Sequence, residues 1–201
     1  FVSIKGVVVV ADRYTYVPYI GLSYLLAVIL ADFNHSGRQK LAWALFALYL
    51  CWLSVLSFQR VKVWRNDITL FTDVLKKNPD VIQALNNRGN AYNKLGKYEL
   101  ALKDFNHGLK LEPGYKFLYN NRAQTYFQLD SIQLAMKDLN TAISLDPRFL
   151  DAFMNKAHIL TVLNSYEKAA ETYTEAVKLA PYRARTFFGR AEVYTKLNKI
   201  E

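Results

Sequence analysis

The sequence has little of what most catalytic and metal sites require. Cys51 is the only cysteine, so the chain cannot form an internal disulfide. The three histidines are far apart and lack metal-ligand spacing, and the chain has neither a glycine-rich phosphate loop nor an HExxH motif. No nucleophile stands in a pattern that pairs it with a base. We therefore expect no metal, no cofactor and no catalytic residue in this chain.

Concentrated charge is missing as well. The net charge is +9, but the 26 lysines and arginines are distributed along the whole chain and do not form a basic stripe. Nucleic-acid binding requires basic residues clustered on one face or along one helix. The charge pattern therefore excludes nucleic acid as an expected partner.

Charge is entirely absent from two segments of equal length, 14–31 and 41–58. As a helix, each segment would be about 27 Å long, which is close to the roughly 30 Å hydrocarbon core of a bilayer. Two such segments joined by a short polar loop predict a transmembrane hairpin in a membrane region at residues 1–58. The alternative is a pair of buried helices in a soluble protein.

A constant period, the interval from Ala101 to Ala135, runs through the rest of the chain. Small residues share one position of the period, large residues share a second, and four of the five prolines share a third. The members are Ala101, Ala135 and Ala169; Phe105, Leu139 and Tyr173; and Pro79, Pro113, Pro147 and Pro181. Such a period is typical of a helical solenoid, and the pattern of small and large positions resembles the tetratricopeptide (TPR) family, whose units have this length.

The resemblance implies an all-α chain with a right-handed solenoid after the membrane region. We predict three TPR units and the first helix of a fourth, and because the last unit is unfinished we expect the chain to be part of a longer protein. The predicted boundaries are 82–115, 116–149, 150–183 and 184–201.

The physical reason for the period is that two antiparallel helices cannot bury their apolar faces alone. Small residues such as Ala101 let the two helices of a unit approach closely, and Phe105 and its equivalents fill the remaining space. Each proline ends a second helix because it lacks the amide donor. The period also extends backwards, so that residues 67–79 are predicted to form a capping helix within a juncture at 59–81.

Amide side chains cluster on the predicted first helices. Asn87, Asn121 and Asn155 share one position of the period. Five further candidate groove residues accompany them: Asn86, Asn90, Asn120, Gln124 and His158.

The first helices of a TPR stack line its concave face, and this arrangement resembles the asparagine ladders with which some TPR proteins hold extended peptides. An amide has both a donor and an acceptor, so it can pair with a peptide backbone without reading sequence. The alternative is that these amides contact only water.

Basic residues recur with the same period on the first helices. They are Arg88, Arg122, Lys156 and Arg190. They either meet acidic groups on a partner or have a structural role, at the groove margin or in pairs within the stack, where Asp104 and Asp138 are themselves one period apart. We expect the structural role.

The stretch ADRYTYVPYIGL at residues 11–22 contains the start of the first apolar segment. Together with the hairpin, a tryptophan-containing juncture at 64–67 and the TPR units, it resembles GT-C-type glycosyltransferase-like membrane proteins, a group that includes the transmembrane and TPR-containing O-mannosyltransferases and their bacterial relatives. The resemblance implies transfer of a sugar from a polyprenyl-phosphate carrier to a protein, by a catalytic acid in an early loop that this chain lacks. It also implies TPR units on the periplasmic or lumenal side, whereas the loop charges by themselves favour the cytoplasm.

Arg13 lies at the edge of the first apolar segment. A charged side chain is costly at the bilayer centre and much less so at its surface, so we expect the spanning helix to begin after Arg13. Arg13 then either anchors the helix end or contacts a lipid phosphate, and the sugar carrier is one source of such a phosphate.

These features predict an integral membrane protein whose TPR groove binds a protein or peptide. In the favoured interpretation the groove presents this partner, as an acceptor, to a membrane-embedded glycosyltransferase part outside the chain. The alternative is a membrane-tethered scaffold that assembles a complex without glycosyl transfer.

Overall fold

The computed structural model describes residues 2–4, 7–9, 20–21, 23–24, 28 and 39–197. Two short strands, β1 (Val2–Ile4) and β2 (Val7–Val9), pair antiparallel near the start of the chain. Nine helices with described bounds follow, and residues 20–21, 23–24 and 28 are helical as well. The nine helices are α1 (Gln39–Val63), α2 (Asp67–Lys77), α3 (Ile82–Lys94), α4 (Tyr98–Leu111), α5 (Lys116–Gln128), α6 (Ile132–Leu145), α7 (Leu150–Val162), α8 (Tyr166–Leu179) and α9 (Ala184–Lys196).

The all-α class is confirmed, and the short strand pair is an addition that was not predicted. The chain divides into two compact units, residues 1–66 and 67–201. Most of the first apolar segment, 14–31, lies outside the described residues, and so does Arg13. The predicted hairpin therefore stays a prediction.

Helix α1 contains the second apolar segment and continues past its predicted end to Val63. The segment Trp43–Val63 has a mean hydropathy of 1.5, and none of it is buried. Large side chains such as Leu48 and Phe58 are exposed along it. By length and composition α1 is a candidate membrane span.

The second unit is a stack of helix pairs. Helices α3, α5 and α7 each pack against the helix that follows them. Helix α2, which lies where the capping helix was predicted, packs against α3. The first helices of successive units also contact one another, α3 with α5, α5 with α7 and α7 with α9. Because the first helices are crowded together in this way, they line the inner, concave face of the stack.

The periodic positions pack as the spacing predicts. Ala101, Ala135 and Ala169 are completely buried, and Phe105 and Leu139 fill the space beside them. Gly89 on α3 shows how close the approach is, because a Cβ atom there would lie 2.5 Å from Cε1 of Phe105.

The helix ends repeat as well. Each of the four periodic prolines lies in the loop after a second helix, beyond its last residue. The turn after each first helix of the three full units contains one residue with a left-handed backbone, and these residues share one position of the period. They are Gly96, with φ 70°, Asp130, with φ 56°, and Asn164, with φ 57°. A residue of this conformation commonly terminates a helix.

Candidate peptide-binding groove

The concave face contains two adjoining depressions that share Gln124, Asn155 and Arg185. We call the first, of about 430 Å³, the cationic depression; its other lining residues are Asn93, Lys94, Tyr98, Phe127, Gln128, His158 and Ile159. We call the second, of about 360 Å³, the amide depression; its other lining residues are Asn120, Asn121, Asp151, Met154, Arg183 and Thr186.

Five of the eight predicted groove residues line these depressions. They are Asn120, Asn121, Gln124, Asn155 and His158. The other three lie on α3: Asn86 is bonded to a lining residue, Asn87 is exposed and Asn90 is half-buried. Asn87 and Asn90 do not line either depression of the described groove.

Four of the amides form a continuous chain of hydrogen bonds across three units. Asn155 Nδ2 donates to Asn120 Oδ1 at 2.8 Å, and Asn120 Nδ2 donates to Asn121 Oδ1 at 3.2 Å. Asn121 Nδ2 donates in turn to Asn86 Oδ1 at 2.8 Å. Asn120 is only 5% exposed, and a buried amide of this kind needs such partners. The network fixes the orientation of these side chains before any ligand arrives.

Several polar atoms of the groove are not used by this network. Gln124 lies between the two depressions, and its amide makes no hydrogen bond within the described residues. The same is true of Asn155 Oδ1, because the bond of Asn155 uses its nitrogen. Asn93 Oδ1, in the wall of the cationic depression, is buried and receives no hydrogen bond from the described residues. Gln124 and Asn155 Oδ1 can therefore form further hydrogen bonds without breaking an internal bond.

Two of the four recurring basic residues, Arg88 and Arg122, pair with aspartates within the stack. Arg88 donates two hydrogen bonds to Asp104, at 2.8 and 2.7 Å, and Arg122 donates two to Asp138, at 2.7 and 2.8 Å. The bonds to Asp104 raise the pKa of Arg88. Burial lowers the pKa of Arg122, but the hydrogen bonds to Asp138 and the attraction to its negative charge together raise it above the usual value. Both arginines are thus held away from the groove.

The same basic residues also bind the preceding unit. In each case the donor on a first helix reaches a polar side chain that lies 16 positions earlier, on the second helix before it. The three contacts are Arg88 to Thr72 at 3.3 Å, Arg122 to Asn106 at 2.7 Å and Lys156 to Asn140 at 2.8 Å. Because α2 makes the first of these contacts, it occupies the place of a second helix in the stack.

Arg183 and Arg185 are groove residues that the sequence analysis missed. They lie at the beginning of α9, and their equivalents one period earlier are Phe149 and Asp151, so the period does not reveal them. Arg183 Nη1 is 3.8 Å from Asp151 Oδ1, with both side chains largely exposed. Their only signal in the sequence is a pair of basic residues at the start of a predicted first helix.

Comparison with known proteins agrees with this architecture. The family pattern described as tetratricopeptide repeat matches residues 82–115, 118–149 and 150–183. Human Protein O-mannosyl-transferase TMTC3 is 32% identical over 106 residues, which are 52% of this chain and 12% of that protein. The chain thus spans about an eighth of the length of the curated relatives it matches.

Two solved structures illustrate the likeness of fold. The first TPR of Spaghetti (RPAP3) bound to HSP90 peptide SRMEEVD is 26% identical, with a TM-score of 0.54, and the match covers 58% of this chain and 93% of that one. TTC0263, a TPR protein of Thermus thermophilus, is 23% identical, with a TM-score of 0.60, and the match covers 72% and 80% of the two chains. The helices α2–α9 therefore form a TPR solenoid.

Proposed function

We propose that this chain, whose residues 82–183 contain tetratricopeptide repeats, binds an extended segment of a partner protein along the concave face of α3, α5, α7 and α9. The observation that carries the proposal is the chain of amide hydrogen bonds from Asn155 to Asn86. Side chains that are already ordered lose less conformational entropy when a ligand binds. The network therefore favours binding by a prepared surface.

The unused polar atoms give the groove a means of holding a peptide backbone. Gln124 can donate to a peptide carbonyl and accept from a peptide N–H, and Asn155 Oδ1 can accept from another. The exposed Asn87 is the further contact of the proposed ladder, toward the first unit. Each such bond contributes about 0.5–1.5 kcal/mol net. Backbone pairing of this kind holds segments of different sequence about equally well.

A similar structure supports this use of the fold. The first TPR of Spaghetti (RPAP3) is described as bound to the HSP90 peptide SRMEEVD. That peptide is a suitable probe for the groove of this chain, because the two folds align over more than half of the chain at 26% identity.

The similarity to TMTC3 leads us to propose that the bound partner is the acceptor of a membrane-embedded O-mannosyltransferase part, with a polyprenyl-phosphate sugar as donor. The alternative is a membrane-tethered scaffold without glycosyl transfer. A hexose on the protein that occupies the groove supports the first function, and an unmodified partner supports the second.

We further propose that α1 crosses a membrane as part of a helical hairpin, with the TPR units on the periplasmic or lumenal side and Arg13 at the lipid phosphates. The similarity to TMTC3 and the exposed apolar surface of α1 both support membrane association. In lipid nanodiscs, Cys51 on α1 should be shielded from a water-soluble maleimide, whereas Asn164→Cys in a Cys51→Ser background should react completely. Equal reaction at the two positions would contradict a spanning α1.

The groove itself is tested most cleanly through Gln124, because this side chain has no internal bond to lose. In the full chain in detergent, Gln124→Ala should raise the Kd for fluorescein-labelled SRMEEVD about three- to tenfold, since one or two backbone hydrogen bonds disappear. The Kd for the reversed sequence DVEEMRS should rise by about as much in this variant, because Gln124 pairs with the peptide backbone and not with its side chains.

The matched control is Gln133→Ala, an amide at the start of α6, a second helix outside both depressions. It should leave both Kd values unchanged. If Gln124→Ala and Gln133→Ala have the same small effect, the concave face does not hold the peptide. The triple change of Asn87, Asn121 and Asn155 to Ala should weaken binding further. Because it also removes internal hydrogen bonds, its Kd is compared only if the variant and the parent chain have equal helicity.

A further inference from the structure

The cationic depression has an unbalanced charge. Lys94 at the end of α3, His158 on α7 and Arg185 on α9 all line it, and its described lining contains no acidic side chain. Elsewhere in the stack, Arg88 and Arg122 each have an aspartate of their own. Lys94 and Arg185 form no ion pair within the described residues. The depression therefore presents unpaired positive charge to whatever enters it.

Arg185 does not stabilise the helix to which it belongs. It lies in the first turn of α9, the N-cap residue is Arg183, and that turn contains no acidic residue. The N-terminus of a helix carries a partial positive charge, so basic residues there are unfavourable and anions are favourable. A carboxylate in the cationic depression would compensate the helix end and Arg185 together.

The walls of the depression strengthen such an interaction. The rings of His158 and Phe127 meet edge to face, with centroids 6.0 Å apart, and Tyr98 and Ile159 complete an apolar lining. Apolar walls lower the local dielectric constant, which strengthens the attraction between opposite charges.

The amide depression differs in this respect. Its Arg183 is close to Asp151, so these two opposite charges partly offset each other there. The two depressions share Gln124, Asn155 and Arg185, and a segment that follows the groove passes through both. The charge asymmetry therefore distinguishes one end of a bound segment from the other.

We propose that the partner segment is acidic, and that one of its side-chain carboxylates is held in the cationic depression by Lys94, His158 and Arg185. This inference rests on the proposed function and names the chemistry of the partner: an extended segment rich in Asp or Glu. The amides hold its backbone, and the charges of Lys94 and Arg185 select its sequence and its direction.

The test compares two peptides that differ only in charge. Fluorescein-SEEGSEEG-amide and fluorescein-SQQGSQQG-amide are titrated against the full chain in a neutral detergent at low and high salt. The acidic peptide should bind about tenfold more tightly at low salt, and the difference should shrink at high salt because the ions screen exposed charges. The blocked C-terminus excludes capture of a terminal carboxylate.

Variants of the lining residues then test whether the preference for the acidic peptide arises in the cationic depression. Arg185→Gln and Lys94→Gln should each weaken the acidic peptide about fivefold, in the range expected for one charge-assisted contact at a partly exposed site, and leave the neutral peptide unchanged. Lys103→Gln and Lys137→Gln remove lysines of the second helices α4 and α6, and they should change neither affinity.

The outcomes separate the inference from the proposed function. Equal affinity for the two peptides, with loss of both in Gln124→Ala, overturns the acidic partner and leaves the groove in place. The acidic partner is also overturned if the preference for the acidic peptide survives Arg185→Gln and Lys94→Gln, or if it falls equally in the two lysine controls. Absence of measurable binding of the acidic peptide overturns it as well. If Gln124→Ala affects no peptide, SRMEEVD included, the proposed function itself is wrong.

Discussion

Phe105→Ala should lower the free energy of unfolding of the solenoid by about 3–5 kcal/mol, the usual cost of removing a buried aromatic ring. Phe105 is completely buried between α3 and α4, where it packs with Ala101, Leu109 and Leu118. The ring also lies directly over Gly89, which has no side chain that could move into the cavity. The loss should therefore stand near the upper end of this range.

A urea titration followed by circular dichroism measures this effect. The matched control is Phe188→Ala on α9, because Phe188 is 73% exposed. Its removal should change the stability by less than about 0.5 kcal/mol. A loss below about 1 kcal/mol for Phe105→Ala, or an equal loss in the two variants, would contradict the packing described for the periodic large position.

Asp138→Asn should lower the stability by about 3 kcal/mol, because it leaves a largely buried arginine without its counterion. The side chains of Arg122 and Asp138 are only 18% and 6% exposed. The hydrogen bond of Arg122 to Asn106 would remain, but an amide cannot replace the carboxylate as the acceptor of both guanidinium bonds. The effect is larger than for an ordinary surface pair because water cannot easily solvate the charge that is left.

Glu175→Gln provides the control for this second prediction. Glu175 pairs with Lys178 at 2.7 Å on the surface of α8, where both side chains are more than half exposed. Exposed pairs of this type contribute about 0–1 kcal/mol, so the control should be nearly neutral in the same urea titration. Similar losses for Asp138→Asn and Glu175→Gln would mean that the pair with Arg122 is not a buried connection.

The packing of the solenoid was predictable because each unit repeats the same contacts. A residue such as Ala135 meets the same kind of neighbours as Ala101, so one period contains the information for every unit. The pairing of Arg122 with Asp138 followed from the period in the same way. The left-handed turns at Asp130 and Asn164 repeat with Gly96, and the recurrence of Gly, Asp and Asn at one position is a signal that the sequence analysis overlooked.

Other features depend on the offset between neighbouring units, which the period does not contain. Asn121 bonds to Asn86 and not to Asn87, which is its equivalent in the preceding unit. The asparagines therefore bond diagonally from one unit to the next. Arg185 has no periodic equivalent of the same charge, and only the arrangement of α7 and α9 brings it beside His158. The short β1–β2 pair comes from a valine-rich stretch whose preference for strands was not used.

The central claim is that an extended partner segment lies in the groove formed by the first helices. Photocrosslinking tests it directly, with benzoylphenylalanine placed either at Gln124, between the two depressions, or at Gln133 on α6. After irradiation with SRMEEVD, mass spectrometry should find the peptide attached to the chain modified at position 124 and not to the chain modified at position 133. Attachment at 133 alone, or to the same extent at both positions, would contradict a concave binding groove.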